Sequence, residues 1–119
     1  MEIRKEPDAT VIVLRGRFDA DAVVAEAERW DQLVDRSEDD LCLDLSQVTF
    51  LDSAGIGTIA FLVKRLAEQG RELRLEGVNG QPRSLLELLR VDRAIPVVPA
   101  RPAQPAARLE EDVMARELA

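Results

Sequence analysis

The sequence predicts an α/β domain, a largely parallel or mixed β-sheet with helices packed on it. Three observations carry this. Short β-rich runs alternate along the chain with segments of helical period, the order that builds strands joined by crossover helices. The 119 residues are enough for one domain with its own core. Apolar residues make up 46% of the chain and charged residues 33%, an ordinary globular balance.

The elements follow in order. "EIRKE" pairs across the "PDA" turn with "TVIVLRGRF", residues 10–18, as a hairpin. From Asp19 the period changes: Val23, Ala27, Trp30 and Val34 form one stripe of an amphipathic helix, with Asp19 or Asp21 as its N-cap. Trp30 lies on that stripe and reads as a packing residue. "LCLDLS" is a short strand with Leu41, Leu43 and Leu45 on one face, and a further apolar stretch, "VTFL", runs into Asp52. A helix from about Ala54 to Gln69 stops at Gly70. "RELRLEGV" alternates again, with Leu73 and Leu75 on one face. "QPRSLLELLRVD" is a helix with Pro82 in its first turn, and "AIPVV" is a last short strand whose proline suits a sheet edge. The folded domain is therefore residues 1–98. Residues 99–119 form a Pro/Ala-rich tail, an extended linker followed by a charged end. Leu109, Val113, Met114 and Leu118 spread round the helical wheel there, which leaves a short helix, disorder and docking against the domain all open.

Composition excludes several functions. A net charge of −7 opposes nucleic-acid binding, which needs clustered Lys and Arg. With no histidine, the usual Ser-His, Cys-His and His-ligated metal chemistries lack their key side chain. The single cysteine, Cys42, sits in a strand pattern as a buried thiol and permits no internal disulfide. No run approaches the roughly 18 apolar residues of a membrane span, and "MEIRKEPD" lacks the apolar core of a secretory signal. The expectation is a cytoplasmic, non-enzymatic protein without cofactor, metal or membrane insertion.

The segment "VTFLDSAGIGTIAFLVKR", residues 48–65, carries the functional signal. It places Asp52 and Ser53 at the carboxyl end of a strand, where ligands favour binding in such sheets. The helix N-terminus behind them offers free N–H groups and partial positive charge. Gly55 and Gly57 permit close approach of another backbone. Ser53 can carry a phosphate of about −1.5 to −2 charge. On local sequence alone a plain helix cap is the favoured reading of Asp52 and Ser53. A nucleophile elbow and a phosphate-binding loop are both missing from the pattern. At about 100° per residue, Ile56, Ile59, Ala60, Leu62, Val63, Leu66 and Ala67 form one apolar face. Phe61 falls opposite, among Gly57, Lys64, Arg65 and Glu68, as a candidate interface aromatic.

"LRGRFD", "LCLDLSQVTFLDSAGIG", "GRELRLEGV" and "LLELLRVDRAIPV" together resemble the STAS domain of bacterial anti-sigma factor antagonists, over about Val11 to Val98. The resemblance implies a mixed sheet of about four to five strands with helices on one side. It implies a partner-switching function: the unphosphorylated chain binds an anti-sigma factor that is also a serine kinase. Phosphorylation of Ser53 releases it, and a PP2C-type phosphatase restores it. The partner-binding residues carried over are Asp52, Ser53, Ala54, Gly55 and Gly57, with Asp19 in the "GRFD" loop and Phe61 added from the helical wheel. A monomer or weak dimer is expected. Arg17 and Phe18 replace an acidic-then-aliphatic pair common in that loop, and Ala54 removes a second hydroxyl, differences that bear on partner choice. Two alternatives stand beside this reading: a non-switching STAS subunit of a transport or sensory complex, and a nucleotide-binding STAS module.

Overall fold

The computed structural model describes residues 1–36 and 38–100; the tail expectations fall outside the described residues from residue 101 onward. In chain order the elements are β1 (Glu2–Lys5), β2 (Ala9–Phe18), α1 (Ala20–Ala25), α2 (Ala27–Arg36), β3 (Asp40–Leu51), α3 (Ser53–Ala67), β4 (Leu73–Glu76), α4 (Gly80–Leu88), α5 (Val91–Ala94) and β5 (Val97–Val98). The strands form a five-stranded sheet in the spatial order β1-β2-β3-β4-β5. β1 pairs antiparallel with β2, and the other pairings are parallel. Strands laid down in sequence order, each parallel step taking the favoured right-handed crossover, bring every crossover helix to the same face. The expected mixed sheet with helices on one side follows.

The core shows the same arrangement. Ile12, Leu14, Leu41, Leu43 and Leu45 face Trp30, Val34, Ile59, Leu62, Leu66 and Leu86 in one buried cluster. The alternation predicted for Leu41, Leu43 and Leu45 is observed, and Cys42 points to the opposite face beside Val11 and Val13.

Some boundaries differ from the sequence reading. "LCLDLS" and "VTFL" are one strand, β3, because β2 continues alongside and absorbs two register shifts. Between Val13 and Arg15, β2 advances two residues where β3 advances three, from Asp44 to Gln47. Gly16, at the second shift, holds φ 73°, a left-handed conformation that glycine adopts without strain. The helix expected from Asp19 is two helices. Glu26 leaves helical geometry (φ −113°, ψ 13°), so the stripe is re-phased: Trp30 and Val34 are buried while Ala27 is exposed. Of the α3 face predicted to be apolar, Ala60 and Ala67 are also exposed. The last predicted helix divides as well, since Arg90 takes φ 60° and separates α4 from α5. α4 starts at Gly80, which puts Pro82 at its third residue. Gly70, at φ 70°, closes the turn after α3 as expected. Beside it, buried Arg71 donates to the Val34 carbonyl (2.8 Å) and the Asp39 carbonyl (2.7 Å), tying the end of α2 to the start of β3.

Candidate functional site

The β3–α3 junction brings most of the predicted site residues together. Asp52 is the N-cap of α3: its Oδ1 accepts from the Ala54 N–H at 2.9 Å and the Gly55 N–H at 3.1 Å. Its Oδ2 accepts from the Ala20 N–H at 3.3 Å, so one carboxylate joins the starts of α3 and α1. Asp19 caps α1 in turn, accepting from the Ala22 N–H at 3.2 Å and from Arg17 Nε at 3.2 Å. Of the two expected caps for this helix, Asp19 is therefore the one used. The Ala22 N–H, then the Arg17 guanidinium, hold the Asp19 carboxyl below the ordinary aspartate range. Two carboxylates sit at two helix N-termini, where the partial positive charge of each helix opposes their mutual repulsion.

Ser53 opens α3 and is exposed. Ala54 is half-buried, and its carbonyl accepts from the Thr58 hydroxyl at 3.1 Å. The two glycines differ in role. A Cβ on Gly55 would meet the Phe18 carbonyl oxygen at 2.4 Å and Leu51 Cδ1 at 2.5 Å, so only glycine lets α3 approach the ends of β2 and β3. A Cβ on Gly57 would meet nothing within 4 Å. Gly55 is needed by the fold itself, whereas at Gly57 the fold leaves bare backbone facing outward.

Phe61 follows one turn later and is 38% exposed, as the helical wheel predicts. Arg65 lies over its ring at 5.5 Å and pairs with Asp35 at 3.0 Å, bracing one side of the aromatic. Ser53, Gly57, Phe61 and Lys64 thus form an exposed ridge along α3. Arg17, a departure from the resembled loop, stacks on Phe50 at 4.1 Å and also pairs with Asp19. It fixes the loop beside the ridge.

One residue of this site escaped the sequence reading. β4 pairs with β3 only from Leu41 to Asp44, which leaves the far half of β3 without a neighbouring strand on that side. Gln81 takes the place of that strand: its Oε1 accepts from the Leu51 N–H at 2.8 Å, and its Nε2 donates to the Leu51 carbonyl at 2.8 Å. Asn79 adds a bond to the Ser46 carbonyl at 3.0 Å. The only available signal was a pair of amide side chains in "NGQP" at a helix start. Their partners in β3, thirty or more residues upstream, are not visible as a local pattern.

A family model described as "Mlab, STAS domain" matches residues 1–99. The chain belongs to the STAS domain family. The MlaB protein of Escherichia coli, an intermembrane phospholipid transport system binding protein, is 27% identical over 77 residues, covering 65% of this chain and 76% of that protein. A putative anti-sigma factor antagonist from Thermotoga maritima superposes with a TM-score of 0.72 at 19% identity, covering 92% of this chain and 91% of its own. An anti-sigma factor antagonist from Mycobacterium paratuberculosis gives a TM-score of 0.70 at 21% identity, with the same coverage. At these identities the solved structures speak for the STAS fold, and the expected fold is observed. No helix among the described residues is long and apolar enough to cross a membrane.

Proposed function

We propose that this STAS domain is a non-catalytic binding subunit that docks on a partner protein through the exposed ridge of α3, within a multi-subunit assembly of the transport type. The observation that carries the docking surface is the contrast at the two glycines. Gly55 answers to the chain's own packing and Gly57 does not, so the bare backbone beside Ser53 and Phe61 is free for another molecule. The transport setting is supported by the family description and by the E. coli relative, whose name places it in a phospholipid transport system. The likeness to anti-sigma factor antagonists is one of fold and lends the partner-switching role no support beyond the fold.

A second reading keeps the phosphorylation switch, and Ser53 favours it. The residue is exposed, and its hydroxyl has no hydrogen-bond partner among the described residues. A phosphate there would add about −2 charge beside Asp52 in a closing interface. A loss of about 3 kcal/mol would weaken binding roughly a hundredfold. The kinase and the PP2C-type phosphatase of that reading would be separate proteins, in the same compartment as this chain.

One experiment separates the two. The tagged full chain is purified from its own cells and chromatographed with and without ATP, with intact-mass analysis of wild type and Ser53→Ala. A stable complex with transport-system components, unchanged by ATP, supports the subunit reading. Release on ATP, with a single phosphate that Ser53→Ala lacks, supports the switch instead. In either case Phe61→Ala should weaken partner binding about tenfold while leaving Tm nearly unchanged. A fall of several degrees in Tm with binding intact would remove the ridge from consideration.

A further inference from the structure

A cavity of about 200 Å³ lies where α1 gives way to α2, beside the far part of β2. Leu14, Phe18, Ala22 and Met1 form its apolar wall, and Trp30 completes it. The indole is held in place: Trp30 is 3% exposed, and its ring meets the Phe18 ring at 5.9 Å between centroids, tilted by 43°. Yet the Trp30 Nε1–H has no acceptor among the described residues. A buried tryptophan ordinarily gives that hydrogen to a partner, because an unmet donor away from water costs free energy. A larger cleft of about 680 Å³ lies between α4, α5 and β5. There, by contrast, the side chains of Ser46, Asn79, Arg83 and Glu87 already bond within the chain. The smaller cavity is the one that carries an unmet chemical demand.

We propose that this cavity binds a small neutral molecule, an apolar body with one oxygen that accepts the Trp30 Nε1–H. Size sets the first limit. A cavity of about 150 Å³ lined by hydrocarbon admits benzene, so this one takes a single ring or a short branched chain with a small substituent. Charge sets the second. Arg15, Arg17 and Glu26 also line the cavity, and each has an opposite charge: Arg15 pairs with Glu2, Arg17 with Asp19 at 3.2 Å, and Glu26 with Arg29 at 3.7 Å. An ionic ligand would have to compete with these pairs while losing its own water, whereas a neutral one leaves them intact. The donor sets the third. An indole N–H can only donate, so it favours a carbonyl, ether or hydroxyl oxygen over a pure hydrocarbon. None of the lining residues belongs to α3, so this site and the exposed ridge stand or fall independently.

Trp30 is the only tryptophan, so its indole N–H gives a single cross-peak in the proton–nitrogen spectrum of the labelled full chain. Acetophenone and cyclohexanone are the probes. At least one should move that cross-peak downfield in a saturable titration. The matched hydrocarbons, α-methylstyrene and methylenecyclohexane, carry a methylene group where the ketones carry oxygen. Followed on the Ala22 and Ala25 amides, they should bind about tenfold more weakly than the ketones. In full-length Ala22→Leu and Ala25→Leu the larger side chains take up cavity space. Ketone affinity should fall about tenfold or more in a variant whose backbone spectrum keeps its dispersion. No saturable shift with either ketone overturns the proposal. So does equal affinity for ketone and hydrocarbon, or an indole shift that persists in both filled variants. The ketone–hydrocarbon comparison needs wild type alone, and decides the matter even if a filled variant does not fold.

Discussion

α3 and α4 both begin just beyond the carboxyl end of a parallel strand, and both are entered from an extended residue, Asp52 (φ −120°) and Asn79 (φ −148°). They are built in opposite ways. Asp52 turns its carboxylate inward to its own helix, accepting from Ala54 and Gly55. Asn79 makes no capping bond; its amide donates to the Ser46 and Gly77 carbonyls, and Gln81 reaches back to Leu51. The start of α4 is a brace for β3, standing in for the strand that β4 is too short to provide. The start of α3 is what the brace holds in place. Similar junctions therefore serve different ends, one presenting a surface and one positioning it.

Substitutions can break this comparison, and the largest effect belongs to Gly55→Ala. The new Cβ would collide with the Phe18 carbonyl and Leu51, so α3 must move away from the sheet, at a cost of about 2–3 kcal/mol in urea unfolding. Gly57→Ala has open space and replaces a helix-interior glycine. It should be neutral or stabilising by up to about 1 kcal/mol, while weakening the partner complex. If both substitutions cost the same, the two glycines do not have the separate roles assigned here.

Asp52→Ala comes next, at about 1–2 kcal/mol, because two N–H groups of α3 and one of α1 lose their acceptor together. Gln81→Ala should cost about 1–2 kcal/mol, since it strips both backbone groups of buried Leu51 of their partner. Asn79→Ala should cost less, about 0.5–1 kcal/mol, as its bonds are exposed. A sharper form of the test is amide hydrogen exchange at Leu51. Gln81→Ala should accelerate it strongly and Asn79→Ala only weakly. Equal acceleration would mean that α4 braces β3 through its body and not through Gln81.

What the sequence made legible follows the same division. Element types, the inward face of Leu41, Leu43 and Leu45, the capping aspartates and the exposed Phe61 all express periods of two or 3.6 residues, or a cap next to its helix. These are local relations and can be read locally. The breaks were less legible. Glu26 and Arg90 interrupt helices without glycine or proline, so no residue type that breaks helices marks either position in the sequence. The continuity of β3 depends on bulges, defined only by two strands together. Gln81 and Leu51 lie thirty residues apart, and nothing in either neighbourhood announces the other. At the site, the residues that present a surface were readable and the residue that positions it was not.

The smallest effect separates the starts of α1 and α3. The Asp19 carboxyl is held below its ordinary range by the Ala22 N–H and by Arg17. A carboxylate whose folded pKa is depressed contributes stability above its unfolded pKa, and that contribution is lost as pH falls through the folded value. The window therefore opens below about pH 4, where the unfolded aspartate takes up its proton first. Asp19→Asn keeps an oxygen acceptor for the Ala22 N–H and removes the titration. The urea midpoint of wild type should then fall more steeply between pH 5 and pH 3 than that of Asp19→Asn. Because Asp19 and Arg17 are solvent-accessible, added salt should narrow the gap between the two curves. Parallel curves at every salt concentration would mean that Asp19 holds α1 as a neutral hydrogen-bond acceptor would. The charge in the "GRFD" loop would then be available to a partner instead of being needed by the fold.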